Sequence, residues 1–498
     1  MNVASIFQDH MLLQRRKPVP VWGSADPGER VTVTLGKSQA SAVTDGDGRW
    51  AVCLPAMEAA QGAALTLRTA TEEQIIQDVA VGEVWLAGGQ SNMEFPLRYD
   101  AKREAQYRKA PNPSLRYYCC PKISYDGQET EEDHSFEGVW RTATPENLPY
   151  FSAVGYYFQE KLHEALDGVP VGIVDCTWGG TSASCWMTDA YLTGDTALYL
   201  HLRDESPSDE AALSAYKERQ KACNTPEMKA MMEKLMATPI TAPSAFAPPK
   251  EEIEAFLKTK YAPFSPFGAG VLYRTMLSKV IPYAIKGFIW YQGEEDTNYP
   301  HLYTEMFSNM IRCWRDAWRE ELPFIFAQLP NFVNPKGWNP LDFVPIRKAQ
   351  ELAARQVANA YMACILDMGM PYDIHPKEKR PVGLRLANLA LEYAYHLPVD
   401  GDAPSVTGVK KLPGAAEVTF SHCGKGLEPL AQTDALEVTV NELPMTYNAV
   451  ISGSMLRVEA ETITPDDRVC LRYAIRDCCQ PFLFNSSHHP ALPFEIVL

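Results

Sequence analysis

No two of the 12 cysteines are spaced C-x-x-C, and Cys119-Cys120 and Cys478-Cys479 are immediate neighbours. That pattern offers no common zinc or redox motif and does not read as a disulfide framework, so reduced thiols are expected. No segment approaches the ~18 apolar residues of a membrane-spanning helix. Met1 to Arg16 contains Asp9 and His10 and no long apolar stretch ahead of Arg15-Arg16, unlike a secretory signal. A cytoplasmic protein without a membrane partner is expected. Positive charge is in deficit too: 46 lysines and arginines face 62 acidic residues, a net charge of −16. Such a field repels phosphates and argues against a nucleic-acid partner. Strong internal repeats and low-complexity tracts are also lacking.

What is present is ordinary globular material on a large scale. The chain has 498 residues, 46% of them apolar and 22% charged, enough for two to four domains with a sizeable core. Residues 1–80 read as a small β-sandwich or jelly roll. Val19–Gly23, Val31–Leu35 and Trp50–Leu54 are β-rich runs separated by Asp26-Pro27-Gly28 and Asp45-Gly46-Asp47-Gly48 turns. Residues 81–398 alternate strands with helices, the pattern of an α/β domain built on a parallel sheet. Its expected strands are Val84–Ala87, Gly172–Thr177, Gly287–Tyr291, Phe324–Gln328 and Met362–Leu366. Its expected helices include Ala153–Leu166, Leu302–Arg319 and Pro381–Tyr395. A charged, Met-rich stretch at about 195–262, broken at Thr238-Pro239 and Ala247-Pro248-Pro249, reads as a helical insertion or lid, or as a solvated excursion. Residues 399–498 return to β, with strands at Glu417–Phe420, Leu436–Val440, Leu456–Glu459 and Val469–Tyr473.

Chemistry concentrates in loops after the predicted strands, where ligands of open α/β sheets bind. Val84-Trp85-Leu86-Ala87 runs into Gly88-Gly89-Gln90-Ser91-Asn92-Met93. A serine there can cap the next helix or attack a carbonyl. The next loops are Trp178-Gly179-Gly180-Thr181-Ser182 and Gln292-Gly293-Glu294-Glu295-Asp296, followed by Tyr372-Asp373-Ile374-His375-Pro376. Serine needs a base, and histidine with a carboxylate partner is the usual one. Asp373 and His375, two apart in extended backbone, put both side chains on one side. The N–H groups of Ser91 and Gly180 and the Gln292 amide are candidate oxyanion donors. Glu294 and Asp296 are candidate supporting acids or solvated residues, with a structural place near the serine loop favoured for Glu294. Gln90, Asn92, Trp178 and Glu294 are the candidate substrate contacts.

Other residues have plainer readings. His488-His489 lacks a third ligand at metal spacing, so no metal is expected. His163, His301 and His396 fall in helix-like contexts as structural residues. Trp85 and Trp290 belong to the core, and Trp178 is the tryptophan expected at the site.

Taken together these residues resemble the sialate O-acetylesterase family of the SGNH (GDSL-like) hydrolases. The likeness is carried by Gly82 to Met93, Trp178-Gly179-Gly180-Thr181, Ile289 to Glu294 and Asp373-Ile374-His375-Pro376, in that order. Met11-Leu12-Leu13-Gln14-Arg15 and Pro18 to Gly23 resemble the family's N-terminal β module, so the likeness spans most of the chain. It implies a flavodoxin-like, three-layer core with a parallel sheet, flanked by N- and C-terminal all-β modules. It also implies a metal-independent, cofactor-free serine esterase that removes O-acetyl groups from sialate or hemicellulose-derived sugars.

By position, Ser91 would be the nucleophile, His375 the base and then acid, and Asp373 its orienting partner. Ser91, Gly180 and Gln292 would form the oxyanion hole. Tyr372 stands where many relatives have the aspartate of D-x-x-H, so Asp367 is the reserve acid and a Ser–His dyad the alternative. The block lacks the second glycine of G-x-S-x-G and has Gln292 where an asparagine is common. A carboxylated sugar calls for an arginine, and Arg380 and Arg385 are the candidates unless both face solvent. The partner expected is an acetylated sugar or oligosaccharide, with homo-oligomerisation left open. The rival readings are a non-catalytic carbohydrate-binding protein on the same scaffold and an esterase for other small acyl esters.

Overall fold

The Glu73–Gly89 strand organises the first half of the chain. Its early residues pair antiparallel with Ala60–Arg68. Its later residues lie parallel between Val171–Thr177 and Gly287–Tyr291. Burial follows the change of neighbours: it is mixed up to Asp78 and complete from Val79 to Gly89. Strands flanked on both sides by parallel partners are covered on both faces, so they read as unbroken apolar runs. Residues 80 and 81 therefore lie inside one continuous strand.

The computed structural model describes residues 1–131, 134, 136–242, 250–333, 342–429, 434–460 and 463–498. They form two compact units. The first comprises Met1–Thr238, Pro248–Gln292 and Glu305–Phe324; the second comprises Pro239–Ala247, Gly293–Thr304 and Ile325–Leu498.

In the first unit, Val19–Ser24 pairs antiparallel with Asn2–Val3 and Arg49–Leu54. Arg30–Leu35 pairs with Ser38–Val43 and Ala60–Arg68. Along Arg49–Leu54 burial alternates, so Trp50, Val52 and Leu54 face inward. Further along, the strands run in the order Trp140–Ala143, Asn112–Cys119, Val171–Thr177, Glu73–Gly89, Gly287–Tyr291. The sheet expected to be parallel is mixed, because Trp140–Ala143 returns antiparallel beside Asn112–Cys119. Helix Ala153–Ala165, capped by the Ser152 hydroxyl on Gly155 N, packs on Val171–Thr177.

Apolar packing under the site is aromatic. Trp290 meets Trp314 edge-on at 5.5 Å, and Phe288 meets Trp314 at 5.2 Å. Gly88 makes this possible: a Cβ there would come within 2.6 Å of Trp314 and 2.9 Å of Trp290. The 195–262 stretch is helical over Leu198–Asp204, Glu210–Cys223, Pro226–Ala237 and Lys250–Thr259. The expected break at Ala247-Pro248-Pro249 lies outside the described residues.

The second unit carries strand Ala360–Ala363, shorter than the predicted Met362–Leu366 because Leu366 enters a 3-10 turn. Helix Arg380–Leu389 follows and widens into a π-turn to Ala394. Two four-stranded antiparallel sheets follow. Leu436–Val440 and Val469–Tyr473 have their predicted bounds. Val418, Leu456, Leu471 and Tyr473 share one core with Cys364 and Leu366.

Candidate active site

Ser91 is the first residue of the short helix Ser91–Glu94, where the Glu73–Gly89 strand ends. The cap position belongs to Gln90, which makes no side-chain cap bond, so Ser91 does not serve as the N-cap. Gly89 adopts φ +131°, and a Cβ there would sit 2.3 Å from Tyr291 O. Only glycine fits this reversal, which leaves Ser91 partly exposed while Asn92 and Met93 turn inward. Gln90 and Asn92, expected as substrate contacts, are both buried. Gln90 N donates to Tyr291 O at 3.1 Å.

The Trp178–Thr181 turn is fixed at several points. Trp178 N donates to Gly89 O at 3.1 Å, and the Thr181 hydroxyl donates to Trp178 O at 2.7 Å. Gly179 N donates to Glu94 Oε2 at 2.7 Å. Gly179 lies so near the serine that a Cβ on it would be 3.3 Å from Ser91 Cβ. Gly180 takes φ +74°, and its N–H has no hydrogen-bond partner among the described residues. Gln292 is fully buried, and its Nε2 donates to Thr181 O at 3.1 Å. Trp178 is partly exposed, as expected, and Lys122 Nζ lies 5.8 Å from its ring centre. The helical insertion reaches this turn through Phe267, which lies against Gly180 and packs edge-on with Phe256 at 5.5 Å.

Three titratable residues the sequence did not single out belong to this part of the site. Glu94 pairs through Oε1 with Lys122. Burial works against the Lys122 ammonium, but the Glu94 carboxylate outweighs it and holds its pKa above the usual lysine range. A glutamate three residues beyond Ser91 on one helix was the only available signal, since i and i+3 share a face. Asp175, near the end of strand Val171–Thr177, accepts from Tyr117 OH and, at 2.7 Å, from the Thr177 hydroxyl. Burial pushes its carboxyl up to about 7 against those two donors.

The other predicted residues fall in the second unit. Asp373 is 1% exposed. Its Oδ1 accepts the His375 main-chain N–H at 3.1 Å, and its Oδ2 accepts Ile240 N at 3.2 Å. Lys377 Nζ completes an ion pair with it at 3.2 Å. Burial, with Lys379 and Lys377 nearby, drives the His375 imidazole down to about 3, so it is neutral across ordinary pH. Burial also lowers Lys377, opposed by Asp373.

Asp367, the reserve acid, is held at two points by Arg385, at 2.5 and 2.7 Å. Arg385 also donates to Cys364 O and His488 O, so it does not face solvent; Arg380 does. Glu294 and Asp296 are buried rather than solvated.

Trp85 and Trp290 are fully buried core residues. His163 Nδ1 is bonded to Val169 O at 2.8 Å, which is a structural contact. His489 is buried, and burial lowers it to about 4. No group of three or more metal-ligating side chains occurs among the described residues. Among those residues no helix is long and apolar enough to cross a membrane.

Comparison with known proteins finds carbohydrate esterases. Residues 254–391 match the profile of the carbohydrate esterases described as sialic acid-specific acetylesterases. The sialate O-acetylesterase of Mus musculus is 26% identical over 456 residues, covering 84% of this chain and 78% of that protein. The Rattus norvegicus enzyme is 28% identical over 435 residues, covering 79% and 73%. The crystal structure of a carbohydrate acetylesterase from Xanthomonas citri superposes with a TM-score of 0.75 at 27% identity, over 99% of both chains. Sequence and fold together show an esterase similar to the sialate O-acetylesterases.

Proposed function

We propose that the protein removes O-acetyl groups from carbohydrates through an acetyl-enzyme on Ser91. The observation that carries this reading is a serine that is not a helix cap and lies against Gly179, next to a Gly180 N–H without a hydrogen-bond partner among the described residues. In the proposed cycle Ser91 Oγ attacks the acetyl carbonyl carbon while His375 takes the hydroxyl proton. The oxygen that becomes negative is met by the Ser91 and Gly180 N–H groups, and Gln292 supports the turn through Thr181 O. The C–O bond to the sugar breaks, and the sugar oxygen leaves with the proton from His375. Water then adds to the acetyl group with His375 again as base, and acetate departs as Ser91 Oγ recovers its proton.

A neutral imidazole suits the first step, since only the unprotonated ring can accept a proton. Asp373 would orient His375 through its main chain and through Lys377. Sugars are the substrates in the names of the relatives, and the partly exposed Trp178 ring offers a face for one. In a cytoplasmic setting the enzyme would meet short imported sugars rather than polymer. The test is acetate release from acetylated sialic acids and from acetylated hemicellulose oligosaccharides, by the wild type and by Ser91→Ala. Release by the wild type and none by the variant is expected. Full activity of Ser91→Ala on an aryl acetate would remove Ser91 from the mechanism.

A further inference from the structure

We propose that Glu94 is a positioning residue for the oxyanion site: its carboxylate, held by Lys122, sets the pose of the Trp178-Gly179-Gly180 turn against Ser91. The proposal rests on the reading of Ser91 as nucleophile and the Gly180 N–H as donor, and adds to it the group that fixes that donor. Glu94 stands on the four-residue helix that begins with Ser91, so one rigid element carries both the attacking hydroxyl and the anchor of the facing turn. Its Oε2 takes the Gly179 N–H at 2.7 Å. The peptide that follows Gly179 carries the Gly180 N–H, so fixing Gly179 limits how that N–H can swing. Other bonds to the turn come from Gly89 O, the Thr181 hydroxyl, the Gln292 amide and the Trp186 indole, which donates to the Thr181 hydroxyl at 3.0 Å. Among these contacts Glu94 is the charged one.

A carboxylate next to a developing oxyanion would oppose the reaction if it stood alone. Lys122 answers that charge from the other carboxylate oxygen. Lys122 is itself tethered, its main-chain N–H donating to Glu137 Oε2 at 2.7 Å and its ammonium lying over the Trp178 ring. The pair thus supplies a strong acceptor for Gly179 with little net field at the reacting oxygen. Glutamine could keep the acceptor without the charge, and alanine could keep neither.

The experiment is steady-state hydrolysis of an aryl acetate by Glu94→Ala, Glu94→Gln, Lys122→Met and the Glu94→Gln/Lys122→Met double variant. Inhibition by an alkylboronic acid, whose tetrahedral adduct places an oxygen where the oxyanion forms, is measured in parallel. Misplacing an oxyanion donor lowers turnover by about 10- to 100-fold. That loss is expected in kcat for Glu94→Ala, with KM nearly unchanged and boronate affinity falling by the same factor. Glu94→Gln should retain most of kcat. Lys122→Met, which bares the carboxylate, should lose kcat and regain it when Glu94→Gln is added. Wild-type kcat and boronate affinity in Glu94→Ala overturns the proposal, as does equal loss in the alanine and glutamine variants. If Glu94→Ala does not fold, wild-type kcat in Lys122→Met overturns it. Ser91→Ala is run alongside: its full activity would defeat the nucleophile reading, whereas its inactivity beside an undamaged Glu94→Ala defeats the positioning role alone.

Discussion

The Asp373 carboxylate accepts the main-chain N–H of His375 at 3.1 Å. A carboxylate two residues ahead of a histidine thereby closes a small turn on the histidine's own backbone. The same carboxylate ties in Lys377, four residues along, and the main chain of Ile240. Asp373 thus organises a loop, and what it gives His375 is a fixed backbone.

Removing that carboxylate should be felt first as instability. In Asp373→Asn the Lys377 ammonium loses its ion-pair partner in a nearly closed site. Breaking one side of a buried pair costs about 3–5 kcal/mol, whereas removing both charges is often close to neutral. Denaturant unfolding should show a large loss for Asp373→Asn and a substantial recovery in Asp373→Asn/Lys377→Met. A single variant as stable as the wild type would contradict the buried pair.

The pH profile should separate His375 from an ordinary surface histidine. Its imidazole is held down to about 3, and in the proposed cycle the neutral ring is the working form. Activity is therefore present above that value and lost only as pH falls through it, well below the usual 6.5. Stability runs the same way: between about 6.5 and 3 the unfolded chain binds a proton that the folded His375 does not, so stability drops as pH falls. The acid limb of kcat/KM should lie clearly below pH 6, and Lys379→Met should move it upward. An acid limb at 6.5 in the wild type would show that burial does not govern this ring.

Much of this fold is written in the apolar runs. Gly287–Tyr291 has its predicted bounds because a strand covered on both faces has no polar residues to blur its ends. Asn112–Cys119 escaped notice because Pro113 and Arg116 interrupt the pattern. Arg116 is nonetheless buried, paired with Asp78 at 3.1 Å and bonded to Met11 O at 3.1 Å. A buried charge with its partner elsewhere in the chain looks like a surface residue in sequence. The same blindness hid Glu94 with Lys122 and made Asp367 and Arg385 look like separate candidates when they satisfy each other. Motifs point to candidate reacting groups, and distant polar contacts decide how those groups are held.

Asp175 should give the chain a second pH signature, opposite in sign. Its carboxyl keeps a proton up to about pH 7 in the folded protein, while the unfolded chain releases it near the ordinary aspartate value of about 4. Between those values the folded state binds the extra proton, so this contribution is present at low pH and lost as pH rises through 7. Asp175→Asn, which can still accept from Tyr117 and Thr177, should flatten that decline. Stability measured from pH 4 to 8 for both proteins is the check, and parallel curves would mean Asp175 is ionised throughout.

Gly88 offers a test of the scaffold that removes none of the proposed reacting groups. It carries no polar side chain and stands three residues before Ser91, and its Cα faces the edges of Trp314 and Trp290. A methyl group there would sit 2.6 Å from Trp314, well inside van der Waals contact, so the indoles must move. Trp314 cannot easily turn, because its Nε1 donates to Trp186 O at 2.7 Å and its ring packs on Phe288 and Phe324. Overpacking of this kind costs about 1–3 kcal/mol. Gly88→Ala should therefore lower the free energy of unfolding by an amount in that range, read by denaturant titration. Its kcat should fall too, because the displaced strand end carries Gly89 and Ser91 with it. Adding Trp314→Phe, which shortens the offending ring, should recover part of both losses. If Gly88→Ala were as stable and active as the wild type, the close approach of the two indoles to the strand that leads to Ser91 would have to be abandoned.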